Sequence, residues 1–178
     1  MNIGFDLDGV FIDKPPFIPK WGIELLYRER SKSLSYRFPG KPEQLLRKLS
    51  HKRMFRPLIK KNIDVIINPK RQNKHAFFLI SARFSFLQKE TENLLSSHRL
   101  KELFDATWFN VSNMQPHLFK ENVIKKLTIH RYVDDDLELL MFLSNCYAHI
   151  KFFWLNKKKK KVLAKNLFAI QNLSDVFR

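Results

Sequence analysis

The chain has 178 residues, 44% of them hydrophobic, with four glycines and a single cysteine; it is long enough to bury one core, which excludes extended disorder, a disulfide framework and a cysteine-built zinc cage. Its 33 Lys and Arg against 17 Asp and Glu give a formal net charge of +16, a balance that favours polyanionic partners and is equally what a Lys-rich solvated surface produces. No apolar run reaches the roughly 18 residues of a membrane span and the first residues carry no leader pattern, so a soluble, cytoplasmic chain without membrane contact is expected.

Short apolar runs alternate with helix-like stretches, the pattern of a parallel sheet buried on both faces by helices. A first strand is predicted at 2–6, Asn-Ile-Gly-Phe-Asp. The long gap behind it holds Pro15, Pro16, Pro19, Pro39, Pro42 and Pro57 and helical candidates at 20–30, 41–50 and 56–66. We read 14–56 as a small basic helical cap inserted into an α/β core formed by 1–13 and 57–178. Residues 14–74 carry 17 basic and 4 acidic side chains, among them Arg28, Arg30, Arg37, Arg53 and Arg56, so the positive field is concentrated there. Trp21, Tyr27, Tyr36 and Phe38 in the same stretch serve either to pack that insertion or to stack on a base.

A second strand is predicted at 75–81, followed by a helix over 84–97 whose Leu87, Thr91, Leu94 and Leu95 share one face. A strand at 106–111 leads to a helix over 116–127, with Pro116 suited to its first turn and Leu118, Val123, Ile124 and Leu127 on one face. Strands at 130–134, 149–155 and 167–171 complete the set, with a helix over 137–145 between the first two. The single low-complexity run is Lys157 to Lys161.

Four polar groups stand at or near the carboxyl ends of these strands, where open α/β sheets form their ligand crevice. The first strand runs into Phe5-Asp6-Leu7-Asp8-Gly9-Val10, and Gly9 permits the turn that would aim both carboxylates at one ligand. The second strand ends in Leu79-Ile80-Ser81, and the fourth in Tyr132-Val133-Asp134-Asp135-Asp136. Lys120 lies in the helix that feeds the fourth strand. Taken singly, each has a plain alternative: a turn, a helix N-cap at Ser81, a solvated lysine, another cap at the Asp run.

Taken in order, D-x-D-G-V after a hydrophobic strand, Ser after a second, a Lys, and D-D after another resemble the four signature motifs of the haloacid dehalogenase superfamily of phosphohydrolases, over residues 2 to about 155. The resemblance implies a Rossmann-like core and a magnesium-dependent phosphomonoester hydrolase. Asp6 would be the nucleophile that forms an aspartyl-phosphate, and Asp8 the general acid and base. Asp6, Asp134, Asp135 and the backbone carbonyl of Asp8 would hold magnesium, while Ser81 and Lys120 would hold the phosphoryl oxygens. An ammonium acting mainly in the transition state would be removable with little loss of stability. Asp136 is expected to cap the helix after it, and Arg83, just past Ser81, to be a surface arginine, with reach to the substrate as the alternative. Only 14–56 has the length to cover the site; its charge points to a nucleotide or a phosphate-ended nucleic acid as substrate, and the Asp-Asp ending resembles the 5′(3′)-deoxyribonucleotidase-like group. Two alternatives stay open: a non-catalytic basic module that binds nucleic acid on this scaffold, and a phosphotransferase.

Overall fold

The apolar runs expected to form strands do so. The computed structural model describes residues 1–15, 34–72, 74–156 and 164–178. Six strands, β1 (Asn2–Phe5), β2 (Ala76–Phe84), β3 (Ala106–Asn110), β4 (Arg131–Asp134), β5 (Lys151–Leu155) and β6 (Leu167–Ile170), form one parallel sheet in the order β3-β2-β1-β4-β5-β6. Five α-helices are present among the described residues: α1 (Lys41–Ser50), α2 (Lys60–Arg71), α3 (Gln88–Ser97), α4 (Pro116–Leu127) and α5 (Leu137–Cys146).

The alternation of side chains along each strand divides the core in two. Ile3, Phe5, Phe77, Leu79 and Val133 meet Ile66 of α2 and Leu94 and Leu95 of α3 on one face. Ile80, Tyr132, Phe152 and Trp154 meet Phe119, Val123 and Ile124 of α4 and Leu139, Leu140 and Leu143 of α5 on the other. α2 and α3 thus cover one face, and α4 and α5 the other. The strand order reverses between β1 and β4, and the carboxyl ends there are left uncovered, which is where ligands bind in sheets of this kind.

Two predicted boundaries move for identifiable reasons. β2 does not end at Ser81: after an irregularity it keeps pairing with β3, Phe84 against Asn110, so the expected helix starts as a single tight turn at Ser85–Leu87 and becomes α-helical at Gln88. The helix expected over 56–66 runs instead over Lys60–Arg71, because the stretch before it is pulled onto the turn behind β1, with Leu58 bridged to Ile12 and the Asp13 amide donating to the Pro57 carbonyl. The helix over 41–50 forms as expected; the one over 20–30 lies outside the described residues. No helix among the described residues is long and apolar enough to cross a membrane.

Candidate active site

The turn after β1 builds the first half of the site. Phe11 and Ile12 donate their amides to the Leu7 carbonyl and Gly9 donates to that of Ile12, folding the chain back at once. Gly9 sits at φ +73°, and a Cβ there would lie 2.3 Å from the carboxylate of Asp135. Both the left-handed backbone and the contact therefore require glycine. Gly4 serves a second approach: a Cβ would lie 2.8 Å from the ring of Tyr132, whose hydroxyl donates to Asp134 at 3.1 Å.

Asp6 and Asp134 project from neighbouring strands, joined where the Asp6 amide donates to the Val133 carbonyl. Lys120 reaches both from α4, its Nζ 2.8 Å from Asp6 Oδ1 and 2.6 Å from Asp134 Oδ2. All three are buried. Burial alone would depress Lys120, yet the carboxylates of Asp134 and Asp6 outweigh it and hold the ammonium well above its ordinary pKa. For Asp6, burial pushes the carboxyl up to about 7, Lys120 pulling it back and Asp134 adding to the rise. Asp135 is also raised, by burial, with the Lys14 ammonium 2.9 Å away opposing.

Asp6, Asp134 and Asp135 each offer a carboxylate oxygen, and the three oxygens lie within 4.8 Å of one another. An all-oxygen set of that size suits a hard divalent cation, and three crowded carboxylates, two of them held above their ordinary pKa, have a net electrostatic demand for one. Asp136 stands apart from this set. Its side chain caps α5 by accepting from the amides of Glu138 and Leu139, as expected, and also accepts from the Tyr36 hydroxyl at 2.7 Å.

These groups line a cleft of about 540 Å³ at the reversal of strand order. No protein-family model and no curated protein matches the sequence. Solved structures do share the fold. CbbY from Rhodobacter sphaeroides in complex with phosphate superposes with a TM-score of 0.61 at 12% identity, over 98% of this chain and 95% of that one. A haloacid dehalogenase-like family hydrolase from Streptococcus pneumoniae gives 0.57 at 11%, over 99% and 96%. A HAD family enzyme from Bacteroides thetaiotaomicron, an Asp-to-Ala mutant in complex with magnesium and inorganic phosphate, gives 0.57 at 12%, over 89% and 95%. The fold is that of the haloacid dehalogenase superfamily.

Within this haloacid dehalogenase fold, five of the site residues singled out by sequence, Asp6, Asp8, Lys120, Asp134 and Asp135, line the cleft together. Ser81 is buried and its hydroxyl has no hydrogen-bond partner among the described residues; its neighbours Ala82 and Arg83 form the wall. Three expectations are corrected. Arg83 is not a surface residue: its side chain is 6% exposed and it forks onto Asp8, Nε to Oδ2 and Nη2 to Oδ1, both at 2.7 Å. Arg56 is not part of an outward basic field, because it is buried and donates Nη2 to the same Asp8 oxygen. Lys120 is not dispensable for stability, since it is the buried counter-charge of two buried carboxylates.

Sequence reasoning missed the cleft residues Arg47 and His51, and named Tyr36 only as an aromatic that packs the insertion or stacks on a base. Tyr36 is fixed from two sides, its amide on Gln115 Oε1 at 2.9 Å and its carbonyl accepting from Gln115 Nε2 at 3.1 Å. His51 is buried, bonds through Nδ1 to the Arg47 carbonyl at 2.7 Å, and is pushed down to about 3 by burial and by Arg83. No spacing pattern marks these three, because their positions depend on how α1 docks.

Proposed function

We propose that the chain is a magnesium-dependent phosphomonoester hydrolase that works through an aspartyl-phosphate. The observation that carries this is the convergence of Asp6, Asp8, Asp134, Asp135 and Lys120 on one cleft from a turn, two strand ends and a helix. The phosphate and magnesium held by the relatives named above support it.

Phosphate esters resist attack because anions repel anions, so a nucleophilic carboxylate needs cations around the phosphoryl group. Lys120 occupies one oxygen of Asp6 and leaves the other for phosphorus. In the first displacement that oxygen bonds to phosphorus, the ester P–O bond breaks, and Asp8, entering the step as the protonated acid, gives its proton to the departing alkoxide. In the second, Asp8 takes a proton from water, the water oxygen bonds to phosphorus, and the carboxylate of Asp6 leaves with phosphate as product. Asp6, Asp134, Asp135 and the Asp8 carbonyl would hold magnesium, whose charge neutralises phosphoryl oxygens. Lys120 also screens Asp6 from the incoming dianion, and the unpartnered hydroxyl of Ser81 is suited to donate to a phosphoryl oxygen. Residues 14–56 would act as the lid, contributing Tyr36, Arg47 and His51 to the cleft, and the charge of the chain favours a nucleotide or a phosphate-ended nucleic acid.

The test is phosphate release from an aryl phosphate. Purified protein with magnesium should release it; EDTA and Asp6→Asn should each reduce the rate by at least about 10³-fold, since an amide neither attacks nor supplies full charge. Undiminished turnover by Asp6→Asn would remove the nucleophile assignment and with it the mechanism.

A further inference from the structure

A guanidinium taken out of water needs acceptors for its fork of donors, and two guanidiniums in one place need more than one carboxylate between them. Arg56 and Arg83, 48 and 75 residues from Asp8 in sequence, converge on that carboxylate with side chains 5% and 6% exposed. Arg83 makes the bidentate contact and also donates Nη1 to Thr91 Oγ1 at 3.0 Å, so its orientation is set by the protein. Arg56 is held by Nη2 alone, and its Nε is buried with no acceptor among the described residues. Both line the cleft, beside the apolar wall of Leu46, Phe84 and Leu87.

We propose that Arg56, backed by Arg83, is an anion subsite that reads a second negatively charged group, a carboxylate or a phosphate, on the leaving group of the substrate. The preferred substrates are then phosphomonoesters that carry a second anionic group within a few bonds of the ester oxygen. This rests on the reading of Asp8 as the group that serves the leaving oxygen. The two guanidiniums gather on Asp8 and not on Asp6 or Asp134, so what they meet is the leaving group and not the transferring phosphoryl. Asp8 stands two residues from Asp6, which keeps the second anion within a few bonds of the ester oxygen.

Matched phosphonates test this without turnover, because their C–P bond is not hydrolysed. Calorimetric titration of the wild-type protein in magnesium buffer should find 3-phosphonopropionate bound about 10- to 100-fold more tightly than propylphosphonate, the range expected for charge-assisted hydrogen bonds. 1,3-Bisphosphonopropane in place of the carboxylate shows whether the subsite favours phosphate; tighter binding than propylphosphonate by either probe supports the proposal. Arg56→Gln should erase the ratio, and Arg56→Lys should keep part of it, since a point charge replaces the fork. Equal wild-type affinity for all three probes overturns the proposal, and that comparison needs no variant to fold. Arg56→Gln weakening all probes equally also overturns it, by placing Arg56 on the transferring phosphoryl. An absence of aryl phosphate hydrolysis would defeat the proposed function while the binding ratio is still read; intact hydrolysis with equal affinities would defeat only the subsite.

Discussion

Replacing Lys120 by Met keeps the shape of the side chain and deletes its charge, and the structure sets the cost. The ammonium lies 2.8 Å from Asp6 and 2.6 Å from Asp134, with side-chain exposures of 5%, 9% and 1% for Lys120, Asp6 and Asp134. Breaking a buried pair by removing one partner leaves an uncompensated charge and costs about 3–5 kcal/mol. Here two carboxylates are stranded, so the upper end of that range is expected without metal. The loss has a pH signature. Asp6 is already raised to about 7 with Lys120 present, and it must rise further without it. An acid whose folded pKa is raised takes up its proton first in the folded state, so stability grows as pH falls through that pKa. Only the variant does so above pH 7; below it the wild-type Asp6 protonates too. The gap between the two proteins should therefore be widest near pH 9, narrow by up to about 1.4 kcal/mol per pH unit toward pH 7, and then level off. Urea unfolding followed by tryptophan fluorescence in EDTA measures it at each pH. Millimolar magnesium should recover part of the loss, because a divalent cation among the same carboxylates replaces the missing charge. A variant as stable as the wild type, or a gap that does not change with pH, would refute the assignment of Lys120 as the counter-charge of Asp6 and Asp134.

Gly9→Ala should lose roughly 1–2 kcal/mol from its left-handed backbone alone and should push Asp135 off the acidic cluster, weakening magnesium binding in a thermal-shift titration; an unchanged magnesium midpoint would sink that account. Since His51 is held at about 3 by burial, the unfolded chain takes up its proton before the folded one does, and stability falls as pH drops below about 6.5. His51→Gln should remove about 2 kcal/mol of the acid destabilisation between pH 6.5 and 5 in urea titrations, and identical slopes for the two proteins would contradict the buried neutral ring. If the basic lid guides a polyanion, KM for a phosphate-ended oligonucleotide should rise steeply with salt while that of a small phosphomonoester barely moves, with charge removal at Arg28, Arg30, Arg37 and Arg53 acting on the first alone. Equal salt dependence would return those arginines to the solvated surface.

What the sequence by itself determined is whatever depends on near neighbours. Runs such as Phe77 to Ile80 form strands because both faces of the sheet bury them, and α4 forms where Pro116 opens an apolar period of 3.6. Gly9 after Asp-x-Asp announces a turn, and Asp136 before Leu137 announces a cap, because each acts on backbone within a few residues. Strand ends then place Asp6 and Asp134 at the carboxyl edge of a sheet, whereas their meeting at the reversal of strand order belongs to the tertiary structure. Only the tertiary structure decided which of the many basic side chains enter the site. Nothing local separates Arg56 or Arg83 from the arginines around them, and their pairing with Asp8 exists because strand order and the docking of the 53–58 stretch bring distant segments together. The same holds for α1, where Arg47 is buried while Leu45, Leu46 and Leu49 stay exposed. Amphipathic pattern would bury the leucines; the cleft, with Glu43 as partner for the guanidinium, turns the helix the other way, because a charge leaves water only where another charge meets it.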